Sequence, residues 1–353
     1  MATNINAMEL ERVLKLTPSH HNIMLVGRHG IGKSRIVEAY FTFAKKKVVT
    51  LFLGQMSDPG DIIGLPSLDQ STAKTVFRLP WWFPEDGEPI VLFLDELNRA
   101  RPEILQCVMD LTLNQTIVGR KLPAGSQIIS AVNEGDEYQL TDLDPALVSR
   151  FNVYHFTPTV EEWLLWAQKN SLDERVIGFI GEFPHLLDGE VGDSGLEKSP
   201  DRRAWERVSE LVGSADSLDD VTTKAVAGIV GVAAALQLAQ YCRTGVGLSA
   251  TPFLTDFNAA SPKLAKSRAH ELTALTEACF RQTETVDDER RKLYASNLAL
   301  YAEWLHKHKK NEILAHFTTL YASAAYPKTK YELLMGAHDI MKYIEKFIGD
   351  IQL

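Results

Sequence analysis

Over its first 157 or so residues the chain alternates short, fully apolar runs with stretches whose apolar residues recur at helical spacing. Ile23-Met24-Leu25-Val26 ends at a glycine, and a helical pattern begins at Ile31. Val48 to Leu53, Ile90 to Leu94, Ile128 to Val132 and Val153 to Phe156 are further strand candidates. A run that is apolar at every position, as Ile90 to Leu94 is, must be buried on both faces of its sheet. Strands alternating with helices predict an α/β core, a parallel sheet with helices on both sides.

After Pro158 the strand pattern stops. Helices are expected over Thr159 to Lys169, Leu172 to Leu187, Asp201 to Gly213 and Leu218 to Arg243. A loop carrying Gly189, Gly192 and Gly195 interrupts them, and Gly245-Val246-Gly247 reads as a hinge. Four or so more helices follow from Lys263, with a break at Tyr326-Pro327. The expected organisation is a core over 1–157, a helical lid over 158–245 and a helical extension over 246–353.

Composition narrows the function class. The Ala225 to Ala239 run is too short and too rich in small residues to cross a membrane and reads as a buried helix. Nothing at the N-terminus resembles a signal peptide, and Cys107, Cys242 and Cys279 have no metal or disulfide spacing. A cytoplasmic protein with reduced thiols is expected. The formal net charge of −9 argues against a surface that grips nucleic acid.

Gly27-Arg28-His29-Gly30-Ile31-Gly32-Lys33-Ser34 matches the Walker A pattern of a phosphate-binding loop. Such a loop brings backbone N–H groups against phosphate oxygens, which side chains at the glycines would obstruct. Lys33 is expected on the β- and γ-phosphates of ATP, and the Ser34 hydroxyl on Mg²⁺. Arg28 and His29 occupy the variable part of the loop. The Ile90 to Leu94 strand ends in Asp95-Glu96, two carboxylates at a sheet edge where doubly wound proteins bind ligands. Asp95 would complete the metal shell and Glu96 would polarise the attacking water. The loop itself does not discriminate ATP from GTP.

Asp95-Glu96-Leu97-Asn98-Arg99-Ala100 resembles the Walker B region of MoxR-like AAA+ ATPases, a branch of the P-loop NTPases with inserts in its second helix and before its sensor strand. The resemblance implies a first sensor at Asn133, which reads the γ-phosphate. Within Asp144-Pro145-Ala146-Leu147-Val148-Ser149-Arg150-Phe151 it implies an arginine finger at Arg150, acting on a neighbouring subunit. In Ser199-Pro200-Asp201-Arg202-Arg203-Ala204-Trp205 it places the second sensor at Arg203. The proline stands three residues before Arg203 where the family has it adjacent, which leaves Arg202 as an alternative. Asp61 through Pro84 resembles the second-helix insert, in which Trp81, Trp82 and Phe83 either anchor the insert or face a partner. Thr116 to Ser126 resembles the hairpin before the sensor strand, and Gln55 could restrain Glu96. The family further implies a hexameric ring, a partner bearing a von Willebrand factor A domain, and a chaperone-like remodelling role. A nucleotide-gated scaffold and a nucleic-acid motor are the rival readings. Tyr294, Tyr301, Trp304 and Tyr321 are expected in packing.

Overall fold

All five expected strands form, and they lie parallel in one sheet with a sixth at its edge. The computed structural model describes residues 3–134, 143–189, 198–215, 217–244, 248–336 and 344; the expected hinge at 245–247 and Gly192 and Gly195 lie outside these. The strands are β1 Thr3–Ile5, β2 Asn22–Arg28, β3 Lys47–Phe52, β4 Leu65–Asp69, β5 Lys74–Arg78, β6 Ile90–Asp95, β7 Thr116–Ile117, β8 Arg120–Lys121, β9 Gln127–Glu134 and β10 Phe151–Phe156. The main sheet runs β1-β10-β2-β9-β6-β3. β1 was not expected: it has three residues, of which only Ile5 is buried, too little pattern to read.

Alternation along β6 explains its continuous apolar run. Ile90, Leu92 and Leu94 face one core with Ile104, Val108 and Leu111 of helix Pro102–Asn114. Val91 and Phe93 face a second core with Val37 and Phe41 of helix Lys33–Phe43 and Leu10 and Leu14 of helix Ala7–Leu16. A strand between two such layers has no solvated face on which polar residues could sit.

Between β3 and β6 the chain leaves the sheet to form the antiparallel β4–β5 hairpin. Gly64 opens it at φ 82°, and a Cβ there would lie 1.9 Å from the Arg78 carbonyl oxygen, so only glycine fits. Of the aromatic trio, Trp82 is buried and Phe83 packs against the same core, while Trp81 is 76% exposed. Anchoring therefore accounts for two of the three. The expected hairpin before the sensor strand is β7–β8.

The chain divides into two compact units, 1–159 and 160–353. Among the described residues the second is helical and holds two separate apolar clusters, one drawn from residues 163–241 and the other from 250–344. The stretch expected as helical over Leu218 to Arg243, with a buried helix over Ala225 to Ala239 inside it, is two helices, Asp220–Val230 and Val232–Thr244. Gly231 separates them at φ 86°, where a Cβ would stand 2.3 Å from the Lys198 carbonyl oxygen. Helix periodicity alone does not register that close approach. Tyr301 and Tyr321 are buried and Tyr294 and Trp304 pack against the same cluster, as expected. The Tyr301 hydroxyl donates to the Leu272 carbonyl at 3.1 Å. No described helix is long and apolar enough to cross a membrane.

Candidate functional site

The parallel register brings the carboxyl ends of β2, β9 and β6 side by side. Gly27 pairs with Asn133 across β2–β9, and Leu94 pairs with Ser130 across β6–β9. The loop after β2, the end of the sensor strand and the acid pair after β6 thus meet at one sheet edge. Sequence spacing cannot show this, because Lys33 and Asn133 are 100 residues apart.

The loop is built for close approach. Gly30 and Gly32 take φ 80° and 96°, and a Cβ on Gly27 would stand 2.9 Å from the Phe156 carbonyl oxygen. Helix Lys33–Phe43 starts at Gly32, which has no side chain to cap it, so its first N–H groups point toward the loop. Such an end favours anions through both its orphan donors and its dipole. Arg28 and His29 are exposed at the rim.

Lys33 is buried, and its ammonium donates to the carbonyls of Gly27 (2.7 Å) and Arg28 (2.9 Å) and to Asn133 Oδ1 (2.8 Å). Burial pulls its pKa down to about 8; the carboxylates of Asp95, Glu134 and Glu96 oppose that fall only in part. Ser34 Oγ donates to Asp95 Oδ2 at 2.9 Å, and Asp95 Oδ1 accepts from the Glu96 backbone N–H at 2.9 Å. A hydroxyl and a carboxylate oxygen in contact form the kind of hard oxygen pair that a Mg²⁺ ion takes alongside phosphate.

Residues 22–151, which contain the whole of this constellation, match the sequence model of the AAA domain (dynein-related subfamily). This stretch is similar to AAA-type ATPase domains. A protein of Thauera aromatica named "Putative chaperone BssE" is 30% identical over 187 residues, covering 48% of this chain and 65% of that protein. The chain thus spans just under two thirds of that relative's length. Among solved structures, a mutant RuvB of Thermotoga maritima is 15% identical with a TM-score of 0.38, over 82% of this chain and 85% of that one. NtrX from Brucella abortus in complex with ADP is 15% identical with a TM-score of 0.38, over 85% of this chain and 68% of that one.

Three features of this stretch and its surroundings were not singled out in the sequence. Asn98, buried, donates to the Asn133 carbonyl at 2.8 Å and accepts from the Asn133 N–H at 3.2 Å. That reciprocal pair ties the turn after β6 to the end of β9. Arg99 donates to Glu96 Oε1 at 2.6 Å, so the partner of Glu96 is Arg99 and not Gln55. Glu134 pairs with His155 at 3.1 Å beside the loop. Asn98 and Arg99 lie within the six residues that carried the family resemblance, so the signal was present without its geometry.

Arg150 lies elsewhere in the first unit. Its guanidinium donates to the carbonyl of Met109 in helix Pro102–Asn114, and its own carbonyl accepts from Asn22 at 3.0 Å. The two candidate lid arginines differ sharply within the second unit. Arg202 is buried and holds Asp188 through Nε at 3.0 Å and Nη2 at 2.8 Å, whereas Arg203 is exposed. Asp201 caps their helix by accepting from Ala204 N–H at 2.6 Å.

Proposed function

We propose that this chain is a MoxR-like AAA+ ATPase that hydrolyses ATP with Mg²⁺ in a homo-oligomeric ring, and so remodels or activates a partner protein. One observation carries the reading: the segment after β2 is bonded to the ends of two other strands, Lys33 to Asn133 at 2.8 Å and Ser34 to Asp95 at 2.9 Å. Lys33 turns its ammonium from the loop carbonyls to the phosphate oxygens. Ser34 and Asp95 would hold Mg²⁺, which would supply charge neutralisation to the phosphates. Glu96 accepts a proton from the attacking water, and Asn133 orients that water beside the γ-phosphate.

Arg150 of a neighbouring subunit supplies the positive charge that the γ-phosphate needs as the bond breaks. To do so it leaves Met109, exchanging one charged hydrogen bond worth about 1.5–3 kcal/mol for contacts across the interface. An arginine supplied in trans raises turnover by about 10³ to 10⁵ in related reactions, or about 4–7 kcal/mol of barrier. Arg203 serves as the second sensor, because Arg202 is committed to Asp188. The relative from Thauera aromatica carries a chaperone name, and the same class of role is proposed here, with a hexamer and a von Willebrand factor A-domain partner as the family resemblance implies.

The test mixes two inactive variants, Glu96→Gln and Arg150→Ala. Mixed rings should regain turnover, because intact Glu96 sites then face intact Arg150 fingers. Mixed assembly without any recovery would refute the action of Arg150 in trans.

A further inference from the structure

The Walker B glutamate stands on an unusual backbone. Glu96 lies in the left-handed region at φ 56° and ψ 42°, which a non-glycine residue adopts only at a cost and which cluster at functional sites. The chain reverses there directly into the short turn Leu97–Arg99, and this brings Arg99 back over its own glutamate. Arg99 Nη1 binds Glu96 Oε1 at 2.6 Å. The other oxygen, Oε2, lies against Gly54 in the turn after β3, where an added Cβ would stand 3.0 Å from Oε2 and 3.1 Å from Arg99 Cβ. Gly54 is not at positive φ, so backbone strain does not explain the glycine; the space it leaves is filled by the Glu96–Arg99 pair.

We propose that Arg99 is the positioning residue for Glu96, and that Gly54 is small so that this pair can seat. The inference rests on the ATPase reading above. Arg99 fixes one carboxylate oxygen and leaves the second to accept from the attacking water. Its guanidinium also offsets the adjacent negative charges of Asp95 and Glu96 at the site where a polyphosphate arrives. A carboxylate on a long side chain has several rotamers, and only an aimed one contributes to general-base catalysis. Arg99 supplies that aim without touching substrate.

The experiment is steady-state MgATP hydrolysis by the protein, with ADP affinity and thermal midpoint measured alongside. Arg99→Ala should lower kcat by about tenfold to a hundredfold, the cost of misplacing a reacting group by about 1 Å, with KM and ADP affinity little changed. Arg99→Lys should restore part of kcat. Gly54→Ala, whose added methyl meets both members of the pair, should reproduce the kcat loss. Arg99→Ala with unchanged or raised kcat, while Glu96→Gln is inactive, overturns this inference alone. So does a loss that appears in KM and not in kcat. A wild-type chain without MgATP turnover, or Glu96→Gln with full turnover, overturns the ATPase reading and this inference with it.

Discussion

Raising pH should weaken nucleotide binding through Lys33. With no phosphate beside it, this lysine has its pKa pulled by burial from 10.5 to about 8. Phosphate oxygens favour the charged form, so binding at high pH must include uptake of a proton. Near pH 7 the ammonium is already charged and nothing is taken up. Above pH 8 each further unit costs about tenfold in affinity, or about 1.4 kcal/mol, until the pKa of the bound form is reached. From pH 7 to 9.5 the association constant for ADP should therefore fall about thirtyfold. Titration calorimetry at pH 9 in two buffers of different ionisation enthalpy should show close to one proton taken up. Lys33→Arg, whose guanidinium stays charged throughout, should lose the slope whatever its absolute affinity. The same shift acts on stability with a defined sign. Because the folded pKa lies below the unfolded value, the unfolded chain binds more protons between pH 8 and 10.5, and nucleotide-free stability rises through that window. An affinity that stays flat from pH 7.5 to 9.5, with no proton uptake, would show that Lys33 does not meet the phosphates.

Three further substitutions separate architecture from chemistry. Asn98→Ala removes both bonds to the Asn133 backbone and leaves a buried N–H unpaired, which should cost about 1–3 kcal/mol of stability in denaturant unfolding. It should also lower turnover, because Asn133 then loses the tie that fixes it opposite Lys33; unchanged stability would mean that the pair is dispensable. Arg202→Ala should destabilise the chain by about 2–3 kcal/mol by breaking its paired bonds to Asp188. Arg203→Ala, at an exposed position, should leave stability within about 0.5 kcal/mol while reducing ATP turnover. Turnover lost in Arg202→Ala at full stability would reverse that assignment.

The legible parts of this fold are those whose physics is local. β6 could be read because both of its faces are buried, and the phosphate loop because close backbone approach restricts residue type at fixed spacing. Helix Asp201 to Gly213 was legible down to its start, since Asp201 is a capping side chain followed by an amphipathic run. What escaped was set by contacts across the chain. Gly231 splits an otherwise uninterrupted Ala-rich helix pattern because the Lys198 carbonyl occupies the place of a side chain. Gly54 reads as an ordinary turn glycine until Glu96 and Arg99 are seen beside it. The same reason separates Arg202 from Arg203: adjacent and chemically identical, they differ in that Arg202 holds Asp188, fourteen residues back in the chain. Motif spacing therefore identifies which residue types gather at the sheet edge, while the aim of each side chain depends on partners at no fixed distance. In a site that works by aimed charge, the partner of Glu96 decides where its carboxylate points, and such partners are the positions at which substitution is most informative.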